Sequence, residues 1–267
     1  MRETVISMRG IEKSYGRYKV LHDVDLDIYK GDIFGLIGRN GAGKTTLFKV
    51  LLGLSDYQNG TLEIMGHKYD LSVGRKKIGF LIGSNFVPQL TGKQNLEYYR
   101  QLKGIKNKKE VDRVLEIVGL KGVKAKYANY SLGMKQRLGI ANAIMGNPEI
   151  LLLDEPTNGL DPQGIADVRN LIKRLNEEFK MTVIVSSHIL GELQNTANRF
   201  GIINDGTLAG VITEEDLISE QRAVRISVDD VEKAKAALAI AGVKILGEAD
   251  ETRTLEDFYF NFVGGKK

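Results

Sequence analysis

A glycine-rich stretch that ends in a lysine and two threonines could bind phosphate groups. It consists of Gly38, Arg39, Asn40, Gly41, Ala42, Gly43, Lys44, Thr45 and Thr46. Glycines let backbone N–H groups turn inward around phosphate oxygens, because no Cβ is in the way. Lys44 would reach the β- and γ-phosphates of a nucleotide, and the Thr45 hydroxyl would bind Mg²⁺. The loop lies between a predicted strand and a predicted helix, which favours this interpretation over a chance match.

Two adjacent carboxylates supply the second candidate chemistry. Asp154 and Glu155 follow the unbroken apolar run at 150–153, which predicts a strand buried on both faces of a parallel sheet. The carboxyl end of such a strand lies beside the glycine-rich loop. There Asp154 would hold Mg²⁺, and Glu155 would be the general base that polarises the attacking water. Acidic pairs also end strands in ordinary turns, but the loop upstream favours the catalytic interpretation.

Three further segments narrow the class of nucleotide-binding protein. They are Tyr130-Ser131-Leu132-Gly133-Met134-Lys135-Gln136-Arg137, Pro156-Thr157-Asn158-Gly159-Leu160-Asp161, and Ser186-Ser187-His188 after a predicted buried strand. In that order they resemble the signature motif, the D-loop and the switch-histidine loop of the ATP-binding-cassette (ABC) family. With the glycine-rich loop and the acidic pair, the resemblance covers about residues 2–212 of the 267.

The resemblance implies an ATPase that binds ATP and Mg²⁺ between two chains stacked head to tail. Each ATP would lie between the glycine-rich loop of one chain and the signature motif of the other. The signature residues are Ser131, Leu132, Gly133 and Met134, and the D-loop contributes Asp161. Ser131 also fits a plain helix N-cap, and the two roles are compatible, because the first N–H groups of a helix bind anions.

Two more site residues come from the resemblance. It implies that His188 donates a hydrogen bond to the γ-phosphate and that Tyr15 stacks on the adenine. On residue type alone, His188 also fits a capping or core position, and Tyr15 fits a surface turn.

One position departs from the family pattern. The family usually has a glutamine where the strand after the phosphate-binding helix runs into the helical insertion, and this chain has Gly83 there. Gln89 lies six residues later, next to Pro88, and is expected at the far edge of the loop. The family's contact from this loop to Mg²⁺ and water is therefore not expected here.

The elements that position these residues alternate between strand and helix. Strands are predicted within 5–8, 24–28, 33–37, 61–65, 77–82, 150–153, 182–185, 200–204 and 207–212, and helices within 44–52 and 165–179. Helical spacing at about 90–145 predicts a helical insertion. The expected fold is α/β: a P-loop NTPase core with a mostly parallel sheet, an antiparallel β subdomain and this insertion.

A second domain is predicted at the C-terminus. The nucleotide-binding domain is expected at 1–215 and a small α/β accessory domain at 222–267, with strands at 223–228 and 243–246 and helices at 231–241 and near 255–262. The tail at 254–260 resembles the ending of drug- and peptide-exporter ATPases of the family. The signature variant and the segment at 90–96 also indicate export.

Composition excludes several other classes of site. The chain has no cysteine, which excludes disulfides and thiolate sites, and its histidines at 22, 67 and 188 are too scattered to predict a histidine-rich metal site. The N-terminal charges do not fit a signal peptide, and no apolar run is long enough to span a membrane. A net charge of +4 gives little support to nucleic-acid binding. The basic excess at 103–126 fits a solvated surface or a face near anionic lipid.

The sequence therefore predicts the ATP-binding and ATP-hydrolysing subunit of an ABC exporter. Its expected partners are a second copy or a paralogous ATPase subunit and membrane-spanning permease subunits, which would hold it on the cytoplasmic face of the membrane. Soluble ABC-type ATPases acting on ribosomes or DNA are the main alternative. They usually carry two cassettes or a long coiled coil, whereas this chain has one copy of each motif and no sustained heptads. A third interpretation is a regulatory module that does not hydrolyse ATP. The presence of Glu155 and His188 argues against it.

Overall fold

The structure is a computed structural model that describes residues 2–83, 85–213, 216 and 229–242. The strands are β1 Thr4–Tyr15, β2 Tyr18–Tyr29, β3 Ile33–Ile37, β4 Asn59–Ile64, β5 Ile78–Leu81, β6 Ile150–Asp154, β7 Thr182–Ser187, β8 Arg199–Asn204 and β9 Thr207–Thr213. The helices are α1 Lys44–Leu52, α2 Leu71–Arg75, α3 Gly92–Leu102, α4 Glu110–Ile117, α5 Leu132–Ala143, α6 Pro162–Glu177, α7 Leu190–Gln194 and α8 Val231–Ile240, with a 3-10 turn at Tyr127–Asn129.

A six-stranded sheet forms the centre of the nucleotide-binding part, in the order β5-β6-β7-β3-β8-β9. The pairs β5–β6, β6–β7, β7–β3 and β3–β8 are parallel. Every residue of β3 and β7 and all but the last of β6 are buried, as expected for strands covered on both faces. The prediction of a mostly parallel α/β core is confirmed, and the carboxyl ends of these three strands meet at one edge.

A second sheet is antiparallel, in the order β2-β1-β4, and confirms the predicted β subdomain. Both β1 and β2 are twelve residues long, much longer than predicted. Their pairing contains four register shifts, the first between Thr4 and Ile6. Each shift interrupts the two-residue alternation of buried side chains, so the sequence pattern shows only fragments of each strand.

The helical insertion consists of α3, α4 and α5, and α5 lies directly on the edge strand β5. A Cβ at Gly79 of β5 would clash with the Ala143 carbonyl oxygen at the end of α5. A Cβ at Gly139 of α5 would lie 2.6 Å from Leu81 Cδ1. The two glycines therefore allow a helix and a strand to touch without intervening side chains.

The loop between β5 and α3 is fixed by one buried side chain. Asn95 of α3 accepts a hydrogen bond from the Val87 amide at 2.8 Å and donates to the carbonyl oxygens of Val87 and Thr91, both at 3.1 Å. Phe86 is buried in the same region, with its ring 5.4 Å from that of Tyr99. The loop thus packs against the insertion.

The remaining helices show where periodicity fails as a guide. The helix α2 was not predicted, because it has only five residues and no periodic face. The helix α6 begins three residues earlier than predicted, because Asp161 caps it and Pro162 takes the first helical position.

The chain divides into two compact units, Met1–Val211 and Ile212–Lys267. In the second unit the described α8 agrees with the helix predicted at 231–241. The other predicted accessory elements, at 223–228, 243–246 and 255–262, lie outside the described residues, and so does the tail at 254–260. None of the described helices is both long and apolar enough to cross a membrane.

Candidate active site

The glycine-rich loop connects β3 to α1 and points the start of that helix at the site. Gly43 is the N-cap of α1, and no described side chain caps its amides. Its φ of 109° is strained for any residue with a side chain, and a Cβ there would lie 2.9 Å from Leu21 Cδ2. The uncapped N–H groups and the helix dipole favour an anion at this position.

Lys44 is buried, and its ammonium group is held inside the site. Its Nζ donates to the carbonyl oxygens of Gly38 at 2.6 Å and Arg39 at 3.2 Å. It also lies 3.0 Å from Glu155 Oε1. Two of the three N–H donors of the ammonium group are thus used by carbonyl oxygens, and its charge is paired with Glu155.

The Asp154 carboxylate accepts hydrogen bonds from two hydroxyl groups, one on helix α1 and one on the neighbouring strand β7. Thr45 Oγ1 donates to Asp154 Oδ2 at 2.7 Å. Ser186 Oγ donates to Asp154 Oδ1 at 2.6 Å and accepts from the Glu155 amide at 2.9 Å. Asp154 and Ser186 are register partners in the β6–β7 pair, so the sheet itself sets this contact.

The Glu155 carboxylate lies between the side chains of Lys44 and His188. Besides the contact with Lys44, its Oε2 is 2.5 Å from His188 Nδ1. Its backbone φ is +51°, in the left-handed region that residues other than glycine rarely adopt. Strain of this kind is common at functional sites, where the surrounding contacts hold it in place.

A third carboxylate connects the loops on either side of the site. Glu192 of α7 accepts a hydrogen bond from Thr157 Oγ1 at 2.5 Å and another from Ser187 Oγ at 3.4 Å. Thr157 lies in the segment after the acidic pair, and Ser187 precedes His188. No sequence pattern predicted Glu192 or the contacts of Ser186.

The signature and D-loop segments start two helices that share a pocket. Ser131 caps α5 by accepting from the Met134 amide at 3.2 Å, and Asp161 caps α6 by accepting from the Gly164 amide at 3.0 Å. The pocket has a volume of 310 Å³, and its lining includes Ser131, Leu132, Gly133 and Asp161. Next to Ser131, burial raises the pKa of the Tyr130 hydroxyl. Ser131 is thus a helix N-cap, which leaves its predicted role toward a second chain open.

The described hydrogen bonds and ion pairs do not join Tyr15, Gly83 or Gln89 to the acidic pair. Tyr15 is half exposed at the end of β1, with its Oη 3.1 Å from Ser55 Oγ, and stacking on adenine stays a prediction. Gly83 has a φ of +64° and open space where a side chain would be. Gln89 is exposed in the turn beside Pro88.

The residues at this edge fit a nucleotide with Mg²⁺. Thr45 Oγ1 and Asp154 Oδ2 are hard oxygen ligands that already touch, and Lys44 and the α1 amides are suited to phosphate oxygens. Within the described ranges, no group of three or more histidine and carboxylate side chains could hold a metal ion. Mg²⁺ on Thr45 and Asp154 would therefore take its other ligands from phosphate oxygens and water.

Comparison with known proteins agrees with this geometry. The ABC transporter family model matches residues 21–158. The bacitracin transport ATP-binding protein BcrA of Enterococcus faecalis is 40% identical over 242 residues, which cover 89% of this chain and 78% of that protein. The lantibiotic transport ATP-binding protein SrtF of Streptococcus pyogenes is 37% identical over 206 residues, or 76% of this chain and 89% of that protein.

A solved structure matches the fold as well. It is the dimeric, post-hydrolysis state of the ATP-binding cassette MJ0796 bound to ADP and Pi, with a TM-score of 0.70 and 28% sequence identity. The match covers 78% of this chain and 98% of that one. On the family match, the relatives and the site geometry together, this chain belongs to the ABC transporter family and is one of its ATP-binding, ATP-hydrolysing subunits.

Proposed function

We propose that the chain drives export of an antimicrobial peptide or a similar compound by a separate membrane-spanning partner. The names of BcrA and SrtF, which specify bacitracin and lantibiotic transport, support this class of cargo. The resemblance of residues 90–96 and of the tail to exporter ATPases supports the direction of transport. Neither name supports the alternative of a soluble ATPase acting on ribosomes or DNA.

One observation carries the catalytic half of the proposal. The loop residues Lys44 and Thr45 meet the acidic pair Asp154 and Glu155 at one sheet edge, and His188 joins them through Glu155. Phosphate-binding, metal-binding and proton-accepting groups thus lie within hydrogen-bond distance of one another. Structural ion pairs alone would not require the uncapped helix start beside them.

The chain's own residues divide the work of hydrolysis. Lys44 and the α1 amides hold the phosphates, and Lys44 exchanges its contact with Glu155 for phosphate oxygens. Thr45 and Asp154 would hold Mg²⁺, which would supply positive charge to offset that of the phosphates. Glu155 accepts the proton of the attacking water, and His188 donates a hydrogen bond to the γ-phosphate.

The complete site needs a second ATPase chain. One polypeptide has a single phosphate loop and a single signature, each at the start of a different helix. A second copy or a paralogous subunit supplies Ser131 and its neighbours to the other face of the nucleotide. Permease subunits hold the pair of ATPase chains at the cytoplasmic face of the membrane. No nucleic acid takes part in the proposed activity. Residues 222–267 form an accessory domain.

A lysine substitution tests the catalytic half. Lys44→Ala should abolish ATP binding and hydrolysis by the purified chain, because it removes the charge that meets the phosphates. Lys49→Ala, on the same helix, is the control and should bind ATP like the wild type. Wild-type ATP affinity in Lys44→Ala would refute the proposed site.

Copurification tests the transport half. A tagged chain extracted from membranes should bring a membrane-spanning subunit with it in stoichiometric amount. Recovery with ribosomes, and with no membrane protein, would replace the exporter by the soluble alternative.

A further inference from the structure

Ser186 is fully buried in β7, the strand between the two strands that carry the site. It is the register partner of Leu36 in β3 on one side and of Asp154 in β6 on the other. The phosphate loop follows β3 and the acidic pair ends β6. Ser186 is therefore the β7 residue level with Asp154, where the two halves of the site adjoin.

The Ser186 hydroxyl contacts both acidic residues at once. It donates its one proton to Asp154 Oδ1 at 2.6 Å and accepts the Glu155 N–H at 2.9 Å. Each Asp154 carboxylate oxygen then has its own hydroxyl donor: Oδ2 accepts from Thr45 at 2.7 Å, and Oδ1 accepts from Ser186. Ser186 thus fixes the rotation of the carboxylate that Mg²⁺ would meet.

The second contact acts on the backbone of Glu155. This residue has a φ of +51°, which a non-glycine residue keeps only where its surroundings hold it. A buried amide without a partner is costly, so the bond to Ser186 favours this conformation over an extended one. With the backbone turned in this way, the Glu155 carboxylate reaches Lys44 and His188.

We propose that Ser186 is a positioning residue for hydrolysis: its hydroxyl orients Asp154 toward the metal and holds Glu155 in the left-handed conformation that aims its carboxylate into the site. This inference rests on the proposed function. Both described hydrogen bonds of the hydroxyl are with the two acidic residues, so it acts through them. Partners of this kind typically contribute about 10- to 100-fold to metal affinity or activity.

Thr182 provides a matched control for a purely structural role. It is also buried in β7, and its Oγ1 accepts a hydrogen bond from the Gly31 amide at 3.0 Å. It lies four residues from Ser186, about 13 Å along the strand. Thr182→Val and Ser186→Ala each remove one buried hydroxyl from the same strand, but only the second affects the acids.

The experiment compares the full-length variants in ATP hydrolysis, in Mg²⁺ activation and in amide exchange. Ser186→Ala should lower kcat about 10- to 100-fold and raise the Mg²⁺ concentration for half-maximal activity, with no loss of ATP binding in the absence of Mg²⁺. Without nucleotide, amide exchange at Glu155 should become at least about tenfold faster, because the amide loses its partner. Ser186→Thr keeps the hydroxyl and should restore kcat to within about threefold of wild type.

The outcomes separate this inference from the proposed function. One outcome is that Ser186→Ala keeps the wild-type kcat, Mg²⁺ activation and Glu155 amide exchange while Lys44→Ala is inactive. This would overturn the role of Ser186 but would not affect the proposed ATPase site. Equal losses in Thr182→Val would show that the effect is structural and overturn it too. If Ser186→Ala does not fold by circular dichroism, Ser186→Cys takes its place, since it keeps the volume but offers only a weak donor.

Discussion

Glu155→Gln should slow hydrolysis and strengthen ATP binding at the same time. The carboxylate lies 3.0 Å from Lys44 Nζ and 2.5 Å from His188 Nδ1, and glutamine keeps its shape while removing its charge. The variant loses the group that accepts the proton of water. It also loses the anion that competes with phosphate for Lys44.

The size of both effects follows from the contacts that the glutamine changes. Loss of a general base costs roughly 10²–10⁴-fold in rate. A hydrogen bond to a charged group is worth about 1.5–3 kcal/mol, and the glutamine oxygen retains part of that contact with Lys44. Release of about 1.4 kcal/mol toward phosphate would strengthen ATP binding about tenfold.

Two measurements on the purified chain check the prediction: steady-state ATPase rates, and ATP dissociation constants from titration calorimetry without Mg²⁺. Glu192→Gln is the matched control, because it makes the same change in a neighbouring carboxylate whose described contacts are with Thr157 and Ser187. It should leave ATP affinity unchanged. A wild-type hydrolysis rate in Glu155→Gln would refute the assignment of Glu155 as the general base. Weaker ATP binding by this variant would refute the competition between Glu155 and phosphate for Lys44.

Three further outcomes are expected. A mixture of Lys44→Ala and Ser131→Arg chains should recover activity at one composite site of two, measured by ATPase assay; turnover by a chain that light scattering shows to be monomeric would contradict this. Gly83→Gln should raise ATPase activity or Mg²⁺ affinity. It should also lower the unfolding free energy by about 1–2 kcal/mol, because the position has a positive φ. Gln89→Ala should leave hydrolysis nearly unchanged. A large hydrolysis loss in folded Gln89→Ala would show that the loop was misassigned. Asn95→Ala should lower the unfolding free energy in urea by about 2–4 kcal/mol, because it leaves buried loop groups unpaired, and a change below about 0.5 kcal/mol would contradict that role.

The parts of the site that sequence predicts are those whose function depends on spacing. The glycines before Lys44 and the apolar run before Asp154 fixed both the elements and their order, and the structure places these residues together. A parallel sheet brings strand ends to one edge whatever the intervening length, so pattern alone suffices for this step.

The contacts of Ser186 and the position of Glu192 were not predicted, for a physical reason. A serine in a buried strand has no spacing signature, and its contact with Asp154 follows from the register between β6 and β7, which no local pattern encodes. Glu192 lies on a five-residue helix, too short for a periodic face. The lengths of β1 and β2 escaped prediction because bulges shift the alternation within each strand.

The contact between α5 and β5 determines which parts of the molecule can move independently. Gly79 meets the backbone end of α5, and Gly139 meets the Leu81 side chain, so there is little side-chain packing between them to rearrange. Any rotation of the insertion that includes α5 must either break this contact or carry the edge strand with it. The helix that Ser131 caps and the strand that leads to Gly83 are therefore expected to behave as one rigid body. Motion arising at the β5–α3 loop would then reach the signature residues directly, without a hinge between them.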